Sequence, residues 1–341
     1  MSEYALLGKS GVMRTIEDYA LGINFSRALS VKYGNMINNA AATTSYTAIA
    51  IGRVMTCVLG MVVEREREIR NFDETPFFKV AGFFSDCNFK GEWKAVEGSK
   101  YFESPLLYGD SGTGFKAIES AEKLISELEG DSAVISNKEI STSKKKAPLL
   151  FNLAELQSEC SKRFKISPAQ TLEIIQDLYE KKYTTYPRTD ARVLTTAVAK
   201  EISKNLNRLK GYGPTASFVN EILESRKYVG LEKTSYVDDS KVTDHYAVIP
   251  TGQCNGIESL PPLERSVYDL IVRRFLSIFY PAAEYKNVKL AVKVSDESFF
   301  AGAKVLTSPG YLEIAGIPNS KKNDDSSEDG DEDEDDGDDE Y

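Results

Sequence analysis

With 341 residues, 41% of them hydrophobic and 28% charged, the chain has the composition of a globular protein of two or three domains. Its net charge of −10 comes from the C-terminus, because residues 321–341 hold 13 acids and 2 bases and leave 39 acids and 40 bases elsewhere, so the composition does not exclude a nucleic-acid partner. The longest apolar stretch, VMTCVLGMVV, spans only about ten residues and the four cysteines are widely separated, so we expect a cytoplasmic protein with no membrane partner and no disulfide framework.

Residues 14–72 are predicted to be helical. The first helix, RTIEDYALGINFSRALSVKYG, has apolar residues at helical spacing and is expected to end at Gly34. A second helix is expected to begin near Tyr46 and to run through AIGRVMTCVLGMVVEREREIRNF. On this helix Arg53 and Thr56 fall on one face. That face fits a buried helix with one interface arginine, and it equally fits a helix along a nucleic-acid strand with both side chains on phosphates.

Segments rich in aromatic and β-branched residues alternate with helical ones. TPFFKVAGFF, EWKAV and DSAVIS, and later VKLAVKV and FFAGAKVL, are predicted strands, whereas the chain between the two groups is mostly helical. This order predicts a mixed α and β, multidomain fold in which a helical domain is inserted into a β-rich arm. The predicted parts are a helical segment (1–72), the first part of the arm (73–150), the inserted helical domain (151–283), the return of the arm (284–318) and a disordered acidic tail (319–341).

The inserted helical domain contains clear signals for helix starts. Asn152 with Glu155, and Ser167 with Gln170, have the spacing of a capping box, and Pro168 takes the first helical position of the second helix. SVYDLIVRRFLSIFY is a third amphipathic helix.

The stretch KKYTTYPRTDARVL joins the second of these helices, predicted over residues 168–182, to a helix expected to begin near Thr195. A proline disfavours helical angles in the residue before it, so Tyr186 is expected in an extended segment. There Tyr186, Arg188 and Asp190 point to one side. The tyrosine can be a turn residue that packs its ring, or a nucleophile whose phenolate is stabilised by Arg188, which is always charged and binds phosphate oxygens.

The motif TDHYAVIPTG contains the only histidine of the chain, His245. The apolar residues that follow it predict a strand or a buried turn. His245 can be a structural group with satisfied hydrogen bonds, or a group that binds a phosphate or carries a proton. No nucleotide-binding loop is predicted, because the tripeptide GKS at 8–10 lacks the preceding glycine that such a loop needs.

Five segments in this order resemble type IA DNA topoisomerases, in particular the bacterial topoisomerase III branch. LYEKKYTTYPRTDARVL is similar to the active-site segment of that family, DHYAVIPT to its histidine motif and AIGRVMTCVLGMVVEREREIRNF to its glycine-arginine-valine helix; DYALGINFSRAL and LERSVYDLIVRRFLSIFYPAAEY also match. The resemblance covers residues 14 to about 316. It implies a core fragment with a helical base, a β-rich arm and an inserted helical domain that carries the tyrosine.

The resemblance also implies a reaction. Tyr186 would attack a phosphodiester of single-stranded DNA and form a 5′-phosphotyrosyl link, so that strand passage and religation relax negative supercoils or decatenate DNA without ATP. Arg188 and His245 match residues that assist at the scissile phosphate, Arg53 matches a DNA-contacting arginine, and Asp190 matches an aspartate of the motif. The candidate catalytic residues are Tyr186, Arg188 and His245, and the candidate DNA-binding residues are Arg53, Thr56 and Asp190.

The family further uses Mg²⁺, which is bound by acidic residues of an N-terminal TOPRIM domain. By comparison with the family we expect this chain to lack that domain, its Mg²⁺ ligands and the C-terminal end of the core. Three functions stay open on the sequence. The chain can be a topoisomerase, or a piece of one, with an intact Tyr186 domain, acting alone or with a separate TOPRIM-bearing chain; a non-catalytic remnant that binds single-stranded DNA; or an inactive fragment.

Overall fold

A computed structural model describes residues 3–41, 48–86, 88–108 and 112–316. The chain divides into two compact units, with the boundary between Phe77 and Phe78. The predicted disordered tail and the residues around Tyr46 lie outside the described ranges. Among the residues described, no helix combines the length and the apolar character that crossing a lipid bilayer requires.

The first unit is helical, as predicted, but its helices have other boundaries. Its helices are α1 (Glu3–Glu17), α2 (Asn24–Ala40), joined to α1 by a π-helical turn (Asp18–Ile23), and α3 (Arg53–Arg70). The expected end at Gly34 is wrong, because Gly34 is a buried residue within α2 and its carbonyl accepts a hydrogen bond from the Asn38 side chain at 2.8 Å. A glycine that ends a helix commonly takes a left-handed conformation, and Gly34 does not.

The expected helix start near Tyr46 is also wrong for the described part of that segment. Two hydroxyl groups on α2 bind the extended chain before α3, since Ile49 N donates to Ser30 Oγ and Ile51 N donates to Ser26 Oγ, both at 2.8 Å. Gly52 is extended as well, with φ −152° and ψ 148°, and α3 begins only after it. These side-chain acceptors satisfy amides that would otherwise join the helix.

The second unit contains an antiparallel sheet, which is five-stranded in the described residues, with the order β1-β2-β5-β4-β3. The strands are β1 (Ala81–Phe84), β2 (Phe89–Lys94), β3 (Ala133–Lys145), β4 (Ala283–Val294) and β5 (Glu297–Ser308), and α4 (Ile118–Leu128) lies between β2 and β3 in the chain. Buried Trp93, Phe115 and Leu124 form the core of this part. The last residue of β3, Lys145, pairs with the first of β4, Ala283, so the intervening chain leaves the sheet and returns at one point. This is the inserted helical domain that the element order predicts.

The insertion is built around a large apolar core. Its helices are α5 (Leu153–Phe164), α6 (Pro168–Glu180), α7 (Thr196–Leu209), α8 (Ala216–Glu224) and α9 (Pro262–Ser277), and a short α10 (Leu312–Ala315) follows the sheet. Leu156, Ile175, Tyr268 and Phe275 are fully buried within this core. The core supplies the rigid support on which the Tyr186 segment lies.

The start signals of these helices are confirmed in the main. Ser167 and Gln170 form both hydrogen bonds of a capping box at the start of α6. Asn152 caps α5 by accepting from Glu155 N at 2.8 Å, but the Glu155 carboxylate lies 3.6 Å from Arg192 and does not complete a box. Thr195 caps α7 as expected.

Candidate functional site

The Tyr186 segment begins where α6 ends. The helix ends at Glu180, two residues before the expected position, and Lys182 leaves it with a left-handed φ of 65°. Thr185 then pairs with the segment that follows His245. Its amide donates to Ile249 O at 3.0 Å, and its hydroxyl donates to Ala247 O at 3.1 Å and accepts from Ile249 N at 2.9 Å. The two sequence motifs therefore lie side by side.

A second threonine fixes the segment on the other side of Tyr186. Buried Thr189 donates its hydroxyl to His245 O at 2.6 Å and accepts from Ala191 N at 3.1 Å. Tyr186 thus lies between two threonines, four residues apart, that both bind the histidine segment. Sequence reasoning did not identify Thr185 and Thr189; their positions flanking the tyrosine were the available signal.

The Tyr186 ring is half-buried and lies against two other rings. Its centroid is 4.4 Å from that of His245, with the planes inclined at 43°, and 5.3 Å from that of Tyr179, with the planes nearly perpendicular at 80°. Such contacts hold a ring in place without using its hydroxyl. Within the described part of the chain, no group forms a hydrogen bond to the Tyr186 hydroxyl.

Two cavities meet at Tyr186 and His245. One, of about 630 Å³, is also lined by Arg188 and Asp190, so the structure brings these four predicted side chains together. The other, of about 400 Å³, is lined by Tyr179, Tyr246 and Lys182 among others. The sequence analysis treated Lys182 only as the end of a helix, whereas in the structure it lines a cavity that Tyr186 also lines.

Arg188 and Asp190 are exposed at the larger cavity. Arg188 forms no ion pair with any residue that the structure describes, so its guanidinium is available to an anion. The Asp190 carbonyl accepts from the Asn152 side chain at 3.1 Å, which ties the segment to the start of α5. The arrangement therefore offers a hydroxyl and a guanidinium on one cavity, the pair of groups that a phosphodiester would need.

Arg53 and Thr56 lie in the first unit, on the first turn of α3. Arg53 forms a bidentate ion pair with Asp18, with Nε–Oδ1 at 2.6 Å and Nη2–Oδ2 at 3.1 Å, and its Nη1 lies 3.6 Å from Glu17 Oε2. The hydrogen bond from Arg53 lowers the pKa of Asp18. Thr56 is exposed. A phosphate that binds Arg53 must compete with Asp18.

The residues in the described ranges do not fit a bound Mg²⁺ ion. No three side chains of His, Cys, Asp or Glu converge there in an arrangement that could hold a metal. Asp190 and Asp244 both line the larger cavity, but two carboxylates at an open surface do not make such a group. No step of the chemistry below is therefore assigned to a metal.

Comparison with known proteins places this chain in a family. A sequence model of a family described as DNA topoisomerase matches residues 2–336, nearly the whole chain. The chain therefore belongs to the type IA DNA topoisomerase family, which confirms the resemblance of its five segments.

The relatives are bacterial proteins named DNA topoisomerase 3. The one from Bacillus subtilis is 32% identical over 92% of this chain and 39% of its own length, and the one from Bacillus licheniformis is 32% identical over 96% of this chain and 41% of its own length. The chain thus spans about two fifths of the length of these relatives. The structure of full-length topoisomerase I from Thermotoga maritima has a similar fold, with a TM-score of 0.59 and 20% identity over 93% of this chain and 46% of that one.

Proposed function

We propose that this chain carries the nucleophile of an ATP-independent DNA topoisomerase, an isomerase that cleaves and rejoins one DNA strand. The observation that supports this most directly is the setting of Tyr186. Two threonines fix the backbone on either side of it and two rings contact its ring, while its hydroxyl has no hydrogen-bond partner among the described residues and the residue lines the same cavity as Arg188. A tyrosine whose hydroxyl is buried usually donates it to a hydrogen bond, whereas the Tyr186 hydroxyl has no such partner among the described residues.

In the proposed reaction the Tyr186 oxygen attacks a phosphorus atom of single-stranded DNA. A bond forms between that oxygen and phosphorus, the bond from phosphorus to the 3′ oxygen breaks, the phenol loses its proton and the 3′ oxygen gains one. The product is a 5′-phosphotyrosyl ester and a free 3′ hydroxyl. Because one phosphate ester replaces another, the reverse attack by the 3′ hydroxyl reseals the strand without ATP.

The neighbouring groups have separate parts in this proposal. Arg188 binds the non-bridging phosphate oxygens and stabilises the charge that grows in the transition state. His245 contacts the Tyr186 ring, lines the same cavity as Arg188, and in this proposal donates a hydrogen bond to the phosphate. Asp190 contacts the DNA next to the cleaved bond, and Arg53 and Thr56 bind phosphates elsewhere on the strand.

The proposed enzyme relaxes negative supercoils or decatenates DNA when another strand passes through the break. The Mg²⁺ ion that the family implies would assist DNA cleavage, but the described residues do not supply its ligands. A separate TOPRIM-bearing chain as their source stays a prediction.

The proposal is tested by looking for the covalent intermediate. The unaltered chain is incubated with single-stranded DNA and Mg²⁺ and run on a denaturing gel, beside Tyr186→Phe. Tyr179→Phe is the matched control, because it removes a hydroxyl from the ring that touches Tyr186 and leaves both ring contacts in place. We expect an adduct in the unaltered chain and in Tyr179→Phe, and none in Tyr186→Phe.

The position of the label tests the polarity of the link. A 3′-labelled strand should carry its label into the adduct, whereas a 5′-labelled strand should release a labelled fragment with a free 3′ hydroxyl. An adduct that persists in Tyr186→Phe would overturn the proposal. DNA binding without an adduct in any variant would instead identify a single-stranded-DNA-binding module, or a chain that cleaves DNA only together with a separate TOPRIM-bearing chain.

A further inference from the structure

A separate cavity with the character of an anion site lies mainly on the inserted helical domain, on residues that do not line the Tyr186 site. It has a volume of about 590 Å³ and is formed by the C-terminal end of α5, residues 265–274 of α9, the turn around Pro214 and the residues Ala315 and Gly316. We call it the arginine cleft, because its lining contains four arginines, namely Arg163, Arg265, Arg273 and Arg274.

The charge of the arginine cleft is strongly one-sided. The only carboxylate in its lining is Asp269, and that group is already bound. Its Oδ2 accepts from Arg273 Nε at 2.6 Å and its Oδ1 accepts from the Tyr212 hydroxyl at 3.1 Å. Burial raises the pKa of Tyr212, which keeps this hydroxyl protonated as a donor. Asp269 on Arg273, together with Glu159 on Arg163, therefore leaves Arg265 and Arg274 without an ion pair among the described residues.

The four guanidinium groups are held to different degrees. Arg273 is fixed by Asp269 and by Ile314 O at 3.0 Å, and Arg274 by Leu149 O at 3.0 Å and by the face of Phe151, 4.2 Å from its ring centroid. These contacts place two cations without engaging every N–H group.

The remaining two arginines are exposed. Arg163 is paired with Glu159 on its own helix, with Nε–Oε2 at 3.0 Å. The Arg265 guanidinium has neither an ion pair nor a hydrogen bond to any residue that the structure describes. Arg265 is thus the group most available to a ligand.

Beside these cations the cleft has an apolar wall, which includes half-buried Phe164 and buried Leu270. An aromatic ring next to arginines is the combination that proteins use for single-stranded nucleic acids, since the ring stacks on a base and the guanidinium groups bind the backbone. A free phosphate ion would bind only the guanidinium groups and would make no use of the aromatic ring.

We infer that the arginine cleft is a second binding site for single-stranded DNA, apart from the residues of the cleavage site. Arg265 and Arg273 bind successive phosphates, and Phe164 stacks on the base between them. This inference rests on the proposed function, because it gives the same DNA a second contact on the same unit. Its consequence is that the cleft contributes to affinity without touching the bond that is cut.

The acidic run of this same chain is the other ligand that the positive charge of the arginine cleft could attract. It begins at Asp324, eight residues after Gly316, which lines the cleft. The stacking wall favours DNA, because the run from Asp324 contains no aromatic residue before Tyr341. The two ligands predict opposite signs for one substitution. Loss of a cation weakens DNA binding if DNA occupies the cleft, and strengthens it if the acidic run competes there.

The test uses the full chain with Tyr186→Phe, so that no covalent link forms, and measures binding of fluorescent oligothymidylate by anisotropy over a range of salt. Arg265→Gln should weaken binding by about fivefold to tenfold and reduce the salt slope by about 0.7, as expected when one phosphate contact is lost. Phe164→Leu should weaken binding by about fivefold and leave the slope unchanged. The control Lys200→Gln removes an exposed charge from α7 outside the cleft and should change binding less than about twofold.

A crosslink gives the position of the strand directly. Oligonucleotides with 5-iodouracil should crosslink to the peptide that contains Phe164, and less so in Arg265→Gln. If Arg265→Gln and Lys200→Gln behave alike, or if Arg265→Gln binds more tightly, the inference is wrong while the cleavage proposal is untouched. If the Tyr186→Phe chain binds no DNA at all, the inference about the cleft and the cleavage proposal are both wrong. If that chain binds DNA through the cleft but the unaltered chain forms no adduct, only the cleavage proposal is wrong.

Discussion

The helices of the first unit and the helices around Tyr186 follow the same kind of sequence pattern, but they differ sharply in burial. In α3 no residue is buried, and Leu59 and Met61 are 61% and 71% exposed. In α9, by contrast, eight residues between Val267 and Ser277 are buried, and they cover most of the circumference of the helix. Apolar periodicity therefore predicts that a helix forms and which face is apolar, but it does not tell how much of that face is covered.

The difference has a consequence for stability. Most of the stability of a helix in a protein comes from packing of its apolar face rather than from its intrinsic propensity. Helices α5 to α9 share one core, so they should open together and rarely. Helix α3 depends on local contacts such as the ion pairs Arg65–Glu68 and Arg70–Glu66, whose N–O distances are 2.8 Å. Each such pair stabilises a helix by about a few tenths of a kcal/mol. We expect its opening free energy to be far lower.

The largest effect should come from a pair of matched leucine substitutions. Leu156→Ala on α5 removes a side chain with no exposed surface and should lower the free energy of unfolding by about 2–5 kcal/mol. Leu59→Ala on α3 makes the same change in a helix where the side chain is exposed, and should cost less than about 0.5 kcal/mol. Urea unfolding followed by far-ultraviolet circular dichroism measures both.

Because both leucines are helical, the loss or gain of helix propensity is the same in the two variants and cancels in the comparison. An equal cost for the two substitutions would contradict the difference in burial and would show that α3 is covered in solution.

Two cysteines provide the next comparison. Cys57 on α3 is exposed, whereas Cys160 on α5 is fully buried, and burial raises the pKa of the Cys160 thiol to about 11. Because the thiolate is the reactive form, alkylation by iodoacetamide at neutral pH should be at least about a hundredfold slower at Cys160. Peptide mass spectrometry after timed labelling measures each rate.

The labelling rate of Cys160 should increase with pH. As pH rises towards about 11 the thiolate fraction of Cys160 grows, so its labelling should accelerate over a range in which the thiol is still mostly protonated. Labelling in urea serves as the control, since unfolding should bring the two rates together. Rapid labelling of Cys160 in the native protein would mean that α5 opens readily, against the view that it belongs to one cooperative core.

Much of the candidate site could be predicted from the sequence, because its signals are local. The Ser167-Pro168-Gln170 pattern determines the start of α6, and the residue pair Tyr186-Pro187 determines that the chain leaves the helix extended. The threonine contacts could not be found in this way. Thr185 binds Ile249 across 64 positions of the chain, and no local rule tells which distant segment will lie beside it.

The same limit explains the errors in the first unit. The start of α3 depends on Ser26, which accepts from Ile51 N across 25 positions. Arg53 is held in an ion pair by Asp18, 35 positions away in the chain. Ser26 and Asp18 are ordinary polar residues in the sequence, and their partners can be identified only when the positions of α2 and α3 within that unit are known. Helix type follows from short-range pattern, whereas boundaries and charge partners follow from tertiary contacts.

The smallest expected effect concerns the two helix starts. Ser167→Ala at the start of α6 removes a side-chain cap and should cost about 1 kcal/mol. Gly52→Ser makes the opposite change at the start of α3, where the N-cap residue has no side chain and its extended backbone, with φ −152°, tolerates serine. A serine there should stabilise α3 by only a few tenths of a kcal/mol, because glycine is itself an acceptable cap.

Hydrogen exchange resolves the two effects by location. Ser167→Ala should accelerate exchange in peptides from α6 and also in those from α5 and α9, because these helices share one core and open together. Gly52→Ser should slow exchange in the first turn of α3 alone. If Ser167→Ala affected only its own first turn, the helices around Tyr186 would open one by one. The rigid support for the Tyr186 segment would then have to come from the contacts of Thr185 and Thr189 rather than from the core beneath them.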